Sequence, residues 1–297
     1  MTAVASEVGA EVIEDAAHAF PAGWRGSVAQ SAERVAPTSR TDHADTGETA
    51  ESENATRSVL RATPPAHRSS PLSNPIHYVG NNTSKVSCFS FYANKTITTG
   101  EGGMAVTADA ELAARMRLMS LHGMNRDAWK RFTADGSWDY HIVAPGFKYN
   151  MTDVAAALGL SQLAKAEQFR LERARIASFY DDAFADVEEV ETLPQNSALL
   201  HAHHLYVIKL RLDLLRIDRA QFIEEMKQRG VLCSVHWRPL HMHPYYVESY
   251  GYKPEDFPVA ASLWPRLLSL PIYPGLTDEE MAYVAESVVE MLRRARL

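Results

Sequence analysis

At 297 residues with a formal net charge of −7, the chain is long enough for two domains, and its acidic balance excludes a general nucleic-acid binder, which needs a basic footprint. No apolar run reaches membrane-spanning length, and the first residues, with Glu7 and Glu11, lack the basic region and apolar core of a secretory signal. The two cysteines, Cys88 and Cys233, stand far apart in apolar, strand-like surroundings, which predicts reduced, packed thiols and a cytoplasmic setting.

In chain order, residues 11–19 (EVIEDAAHA) read as a short strand opening into small residues, with Asp15 at its carboxyl end. Ligands of open α/β sheets bind at the carboxyl ends of strands, and a carboxylate there can keep a pyridinium nitrogen protonated. An aspartate at a strand end can equally cap a following helix. Residues 27–78 contain SAER, TDHADTGET and ATPPAHRSSP, with scarcely an aromatic or β-branched cluster. Such a segment buries too little apolar area to offset chain ordering, which predicts disorder.

Residues 86–95 (VSCFSFYANK) lead from Val86, Cys88, Phe89 and Phe91 directly to Lys95, the pattern of a strand covered on both faces. A lysine at the exit of such a strand is partly dry, which disfavours its ammonium form and lowers its pKa. A neutral, positioned amine is what Schiff-base chemistry with an aldehyde cofactor requires. A strand that simply ends in a solvated lysine fits the composition as well. Residues 99–103 (TGEGG) are followed by no Gly-Lys-Ser/Thr and so form no phosphate-binding P-loop; they read as a tight turn.

Asp109 predicts the cap of a helix through Glu111, Leu112, Met116 and Met119 to about Leu121, stopped by Gly123. Thr152 and Asp153 open one long helix through Leu158, Leu163, Phe169 and Ile176. Its Ala-rich first half suits close packing and its Arg/Glu-rich second half a solvated linker. Beyond Glu172 a smaller domain is expected, with a strand at 205–210, a helix at 218–229 ended by Gly230, a second strand at 231–236 and a final helix from Thr277. Asp278, Glu279 and Glu280 at the start of that helix, and Arg293, Arg294 and Arg296 near its end, match its dipole. His236, Arg238, His241 and Tyr245 form a polar cluster that is either substrate-facing or an ordinary Pro-rich surface loop. His201, His203, His204, His241 and His243 lack the ligand spacing of a zinc site, so no metal is expected.

Five ordered segments resemble the DegT/DnrJ/EryC1/StrS family of sugar aminotransferases, which use pyridoxal phosphate (PLP). They are VIEDAAHA (12–19), SCFSFYANK (87–95), TGEGGM (99–104), PGFKYNMTDVAAALG (145–159) and VHWRPLH (235–241). The resemblance implies an α/β fold of aminotransferase type I: a large domain built on a mostly parallel sheet with helices, and a small C-terminal α+β domain. It implies that Lys95 is the Schiff-base lysine and proton shuttle, Asp15 the partner of the pyridine nitrogen and His18 a neighbour of the ring. Ser90 becomes a hydroxyl donor to the phosphate, and His236, Arg238 and His241 face the substrate. Lys148 and Asn150 belong to a loop that reaches the phosphate across a homodimer interface. Many relatives carry Asn and Arg at these two positions, so either residue can make the contact, as cation or amide. Lys148 rivals Lys95 as a Schiff-base lysine only weakly, because it stands in a loop.

The implied reaction is ping-pong transamination of a nucleotide-linked keto sugar, a 4-keto-6-deoxy sugar, with glutamate as amino donor, for surface polysaccharide, lipid or glycoside biosynthesis. Two departures from the family pattern accompany it. Only fourteen residues precede Asp15, and Asp15 and Lys95 lie 80 positions apart (95 − 15) where relatives join them through a short connection. The expectation is therefore an N-terminally truncated chain. Residues 1–26 are a remnant of the PLP-binding domain, 27–80 a disordered insertion or gene-model artefact, 81–171 the rest of the large domain and 172–297 the small domain. The alternative is a catalytically inactive remnant of such an enzyme.

Overall fold

The structure, a computed structural model, describes Ala5 and residues 10–25, 76–81, 84–124 and 140–297. The chain divides into two compact units: Met1–Trp24 with His77–Leu297, and Arg25–Ile76. Of the second unit only Arg25 and Ile76 are described. The disorder expected for 27–80 lies outside the described residues except at its end, where Ile76–Tyr78 form a strand.

In the first unit, β1 (Ile13–Asp15) pairs in parallel with β4 (Val86–Ser90), and β4 pairs antiparallel with β5 (Gly103–Val106). Beside this sheet a small aromatic cluster gathers Phe20, Phe89, Phe91, Ile97 and Phe169. A second sheet has the order β3 (Ile76–Tyr78), β2 (Gly23–Arg25), β7 (Leu199–Leu200). The expectation that β4 is covered on both faces is not met. Cys88 is exposed, Phe89 and Ser90 are half-buried, and Ile13 is 69% exposed. Three short strands with one aromatic cluster leave the sheet only partly covered by the described residues. Cys88 is consequently a free but not a packed thiol, whereas burial pushes the Cys233 thiol up to about 12.

The main core surrounds the third sheet, in the order β6 (Val190–Thr192), β8 (Tyr206–Leu210), β9 (Leu267–Leu270), all antiparallel. In β8, Tyr206, Ile208 and Leu210 are buried while Val207 and Lys209 are less so, the period of two of a strand with one face on a core. Three helices close over it: α3 (Ala166–Phe184), α4 (Arg219–Gln228) and α7 (Asp278–Ala295). α7 buries Met281, Val284, Ala285, Val288, Met291, Leu292 and Ala295, the i, i+3, i+4 spacing of an amphipathic helix. Its start is a capping box of Thr277 and Glu280. Asp218 and Gln221 cap α4 in the same way, and Gly230, at φ +79°, ends it.

The remaining helices are α1 (Ala110–Ser120), capped by Asp109 as predicted, α2 (Asp153–Leu163), α5 (Pro244–Tyr250) and α6 (Pro258–Leu263). The long helix read from Thr152 is in fact two, α2 and α3, separated at Ala164 and Lys165. No residue of α2 is buried, so its alanines serve no close packing among the described residues beyond Gly159, where an added Cβ would stand 2.9 Å from Thr99 Cγ2. Nor is the Arg/Glu-rich half a solvated linker, since Arg170 and Arg173 of α3 are both buried. The strand expected at 231–236 reduces to a single bridge, Ser234 to Ser269.

α3 runs through both cores. Ala166 and Phe169 pack into the aromatic cluster beside β4, and Ile176, Ala177, Tyr180 and Phe184 into the main core.

Candidate active site

Two chain segments leave the carboxyl ends of the parallel pair β1–β4, where open α/β sheets hold ligands. After β1 the chain turns through residues 16–20: the Asp15 carboxylate accepts the Ala17 N–H at 3.1 Å, and Ala16 N–H donates to the Cys88 carbonyl at 2.9 Å. No helix follows, so Asp15 organises a turn rather than a cap. After β4 the chain passes through Phe91 to Lys95, whose N–H donates to the Tyr92 carbonyl at 3.0 Å. Thr99 N–H and Phe91 N–H then bond to the Phe91 and Gly102 carbonyls, folding residues 91–102 back as the expected tight turn. Glycine is needed at Gly102, where φ is +155° and a Cβ would stand 2.3 Å from Thr99 Oγ1.

These two turns line a narrow recess with Ala17, His18, Phe20, Ser90, Lys95, Thr96, Ile97 and His204. The Ser90 hydroxyl oxygen accepts the Tyr92 N–H at 3.3 Å, leaving its own O–H free to donate. Burial holds the Lys95 amine below the ordinary lysine range, against the opposing pull of the Asp15 carboxylate. His18 is likewise lowered, by burial and then by Lys95, with Asp15 opposing. Asp15, His18 and Lys95, far apart in sequence, therefore share one electrostatic neighbourhood.

His236 joins it from the C-terminal part. Its Nδ1 meets Ser269 Oγ at 2.9 Å, and burial, His18 and Lys95 lower its pKa. Arg238 and His241 do not line the recess. Arg238 is exposed, while His241 is buried with its ring 4.6 Å from that of Phe257. Tyr245, in the same predicted cluster, is 65% exposed. Lys148 and Asn150 also lie elsewhere. The Lys148 amine donates to the Asn150 side-chain oxygen, and both line an open groove with Thr99, Glu101, Tyr149 and Thr152.

His204 is the recess residue the sequence reading did not single out for this site. Its signal was present, a histidine next to the buried-alternating strand β8, but it stood among histidines weighed only as zinc ligands. His203 N–H instead donates to His201 Nδ1 at 2.8 Å, and the His204 ring packs on His18. Among the described residues no group of three or more His, Cys, Asp and Glu is placed to hold a metal ion, and no helix is long and apolar enough to cross a membrane.

Comparison with known proteins identifies the family. The DegT/DnrJ/EryC1/StrS aminotransferase family matches residues 1–289. Similar curated proteins include uncharacterized protein MJ1066 of Methanocaldococcus jannaschii, 45% identical over 73% of this chain and 55% of the relative. Spore coat polysaccharide biosynthesis protein SpsC of Bacillus subtilis is 42% identical over 70% of this chain and 54% of its own. Among solved structures, Spr1654 of Streptococcus pneumoniae in its PMP form matches with a TM-score of 0.64 at 31% identity, covering 71% of this chain and 54% of that one. PseC of Helicobacter pylori, an aminotransferase involved in pseudoaminic acid biosynthesis, matches with a TM-score of 0.64 at 29% identity over 71% and 54%. The chain thus spans about half the length of the curated relatives it matches. Its α/β fold is the type I fold of the PLP-dependent sugar aminotransferases, and the chain belongs to the DegT/DnrJ/EryC1/StrS aminotransferase family.

Proposed function

We propose that this chain acts in PLP-dependent transamination of a nucleotide-linked keto sugar, of the 4-keto-6-deoxy class, with glutamate as amino donor, in cytoplasmic biosynthesis of a surface polysaccharide, lipid or glycoside. The observation that carries the reading is the convergence of Asp15, His18 and Lys95 at the carboxyl ends of β1 and β4. On this reading, residues 1–26 and 81–171 belong to the cofactor-binding domain and 172–297 to the small domain.

The donor set fits PLP. The exposed Asp15 carboxylate accepts one backbone N–H and retains lone pairs for a protonated ring nitrogen. Ser90 offers a free hydroxyl hydrogen for a phosphate oxygen, and Lys95 a partly dry amine for an aldehyde carbon. Bound there, the cofactor would supply the carbonyl for covalent attachment and a ring that accepts electrons. Lys95 Nζ, with its proton affinity reduced by burial, suits taking a proton from a substrate carbon and returning it. The Asp15 carboxylate would hold the proton on the ring nitrogen, and His18 lines the recess beside Lys95. Lys148 and Asn150, set apart from the recess of their own chain, suit a reach to the phosphate held by a second copy in a homodimer. His236 suits the sugar substrate through its place beside Lys95.

The test is a visible absorption spectrum of the full chain titrated with PLP, with Lys95→Ala alongside. A band that needs Lys95 and bleaches with glutamate is expected. A band indifferent to Lys95 overturns the assignment of the lysine, and no band at all leaves the reading of an inactive remnant.

A further inference from the structure

His204 reaches the recess by a local device. The preceding residue, His203, has φ +46°, a left-handed conformation that non-glycine residues adopt only when the surroundings hold it. Arg173 of α3 supplies the hold: its Nη1 donates to the carbonyls of His203 at 3.2 Å, His204 at 3.3 Å and Ile272 at 2.9 Å. Arg173 is only 5% exposed, and among the described residues its charge is met by these neutral carbonyl oxygens rather than by a carboxylate. Burial lowers its pKa to about 10, still charged at neutral pH. The Nη1 end alone gathers these carbonyls from two chain segments, one before β8 and one after β9, its two N–H groups shared among three acceptors, while Nε is buried without a partner among the described residues.

The result is a buried imidazole, 8% exposed, whose ring centroid lies 4.6 Å from that of His18 with planes tilted by 40°. Its Nδ1 is buried and has no hydrogen-bond partner among the described residues. Most buried polar atoms in native structures find a partner, so one that does not calls for an explanation. The charged and titratable groups facing His204 from the elements around it are His18, Lys95, Arg173 and His236. Burial first, and then each of these four basic groups, opposes a proton on His204.

We propose that His204 is a contact residue of the Lys95 recess, an uncharged imidazole that buttresses His18 and keeps an added cation away from Lys95, and that Arg173 is the residue that positions it. The proposal deepens the transaminase reading and rests on it for the identity of the ligand, while the placement itself is testable without any cofactor.

The experiment follows the histidine side chains of the full chain by long-range 1H–15N NMR between pH 5 and 8, and measures Lys95 proton affinity from the pH dependence of its amine labelling, read by peptide mass spectrometry. In the unaltered chain His204 stays neutral throughout. His204→Phe, which keeps a ring and adds no charge, leaves the Lys95 midpoint in place. His204→Arg lowers Lys95 proton affinity about tenfold, as a fixed charge added to the lining of the same recess requires. Arg173→Met releases the turn, so that His204 titrates in the ordinary histidine range and the His18 signal moves. Titration of His204 between pH 5 and 8 in the unaltered chain overturns the proposal and needs no variant to fold. An unchanged Lys95 midpoint in His204→Arg, or a silent His204 in Arg173→Met, overturns it too. Neither readout involves PLP, so a failed PLP titration sinks the transaminase reading and not this placement.

Discussion

Asp15 and Cys88 are register partners in the parallel pair β1–β4, so the turn after Asp15 and the turn that carries Ser90 and Lys95 leave the sheet at the same end. Parallel pairing joins segments distant in sequence with their carboxyl ends together, which is why a separation of 73 positions (88 − 15) does not separate the chemistry. The shared carboxyl end of β1 and β4 brings the site together.

Asp15→Asn removes the charge that raises Lys95 proton affinity against burial. The midpoint of Lys95 amine labelling is expected to move to lower pH, and transaminase activity to fall by roughly 10²- to 10⁴-fold, the range of a lost acid–base or electrostatic partner. A midpoint that stays in place would show that the two groups do not interact.

Gly102→Ala places a methyl group against Thr99 Oγ1 at a φ of +155°. Distorting that backbone costs about 1–3 kcal/mol, concentrated in the turn that sets Lys95. Urea denaturation should show the loss, and PLP affinity should fall more than it does for an exposed substitution such as Val154→Ala. Equal effects on PLP affinity would remove the turn from the account.

Stability should depend on pH through the histidine turn. Burial first, then neighbouring bases, lowers His203 to about 4 and His204 to about 3. Unfolded histidine titrates near 6.5, so below that pH the unfolded chain takes up more protons than the folded one. The contribution is fully present above about pH 6.5 and is lost as pH falls toward 4 and then 3. Thermal midpoints measured across this window should fall, and His204→Phe should flatten the slope. The same slope in His204→Phe would place the effect elsewhere.

Phe222 is fully buried in the main core, and Phe222→Ala should cost about 3–5 kcal/mol. Thr277→Ala, which removes the side-chain acceptor for Glu280 N–H at 3.2 Å, should cost about 1 kcal/mol. Denaturant midpoints in that order support a core centred on β8. The reverse order would mean that the helix start, not the sheet packing, limits stability.

Much of this was legible in the sequence. Asp109, Asp218 and Thr277 announce helix starts because a short polar side chain followed by apolar residues at helical spacing satisfies the first N–H groups locally. Asp15, Lys95 and the glycine turn were readable because their chemistry and local conformation reside in the residues themselves. The break at Ala164–Lys165 was not, since neither glycine nor proline marks it; beyond it, Ala166 and Phe169 of α3 pack into the aromatic cluster. Residues 231–236 look like a strand by composition, yet among the described residues only Ser234 forms a β-bridge, to Ser269. His204 was hidden because its burial depends on the His203 backbone and on Arg173, thirty-one positions away. Arg173 itself read as part of a solvated face, because nothing in a helical Arg/Glu pattern tells which arginine will find buried carbonyls.

The most direct test of the central claim is reduction of the PLP-treated full chain with borohydride, followed by peptide mapping of the modified lysine. The account predicts a single stable pyridoxyl mark on Lys95, lost in Lys95→Ala. A mark on Lys148, or marks spread over surface lysines with Lys95 untouched, would contradict it.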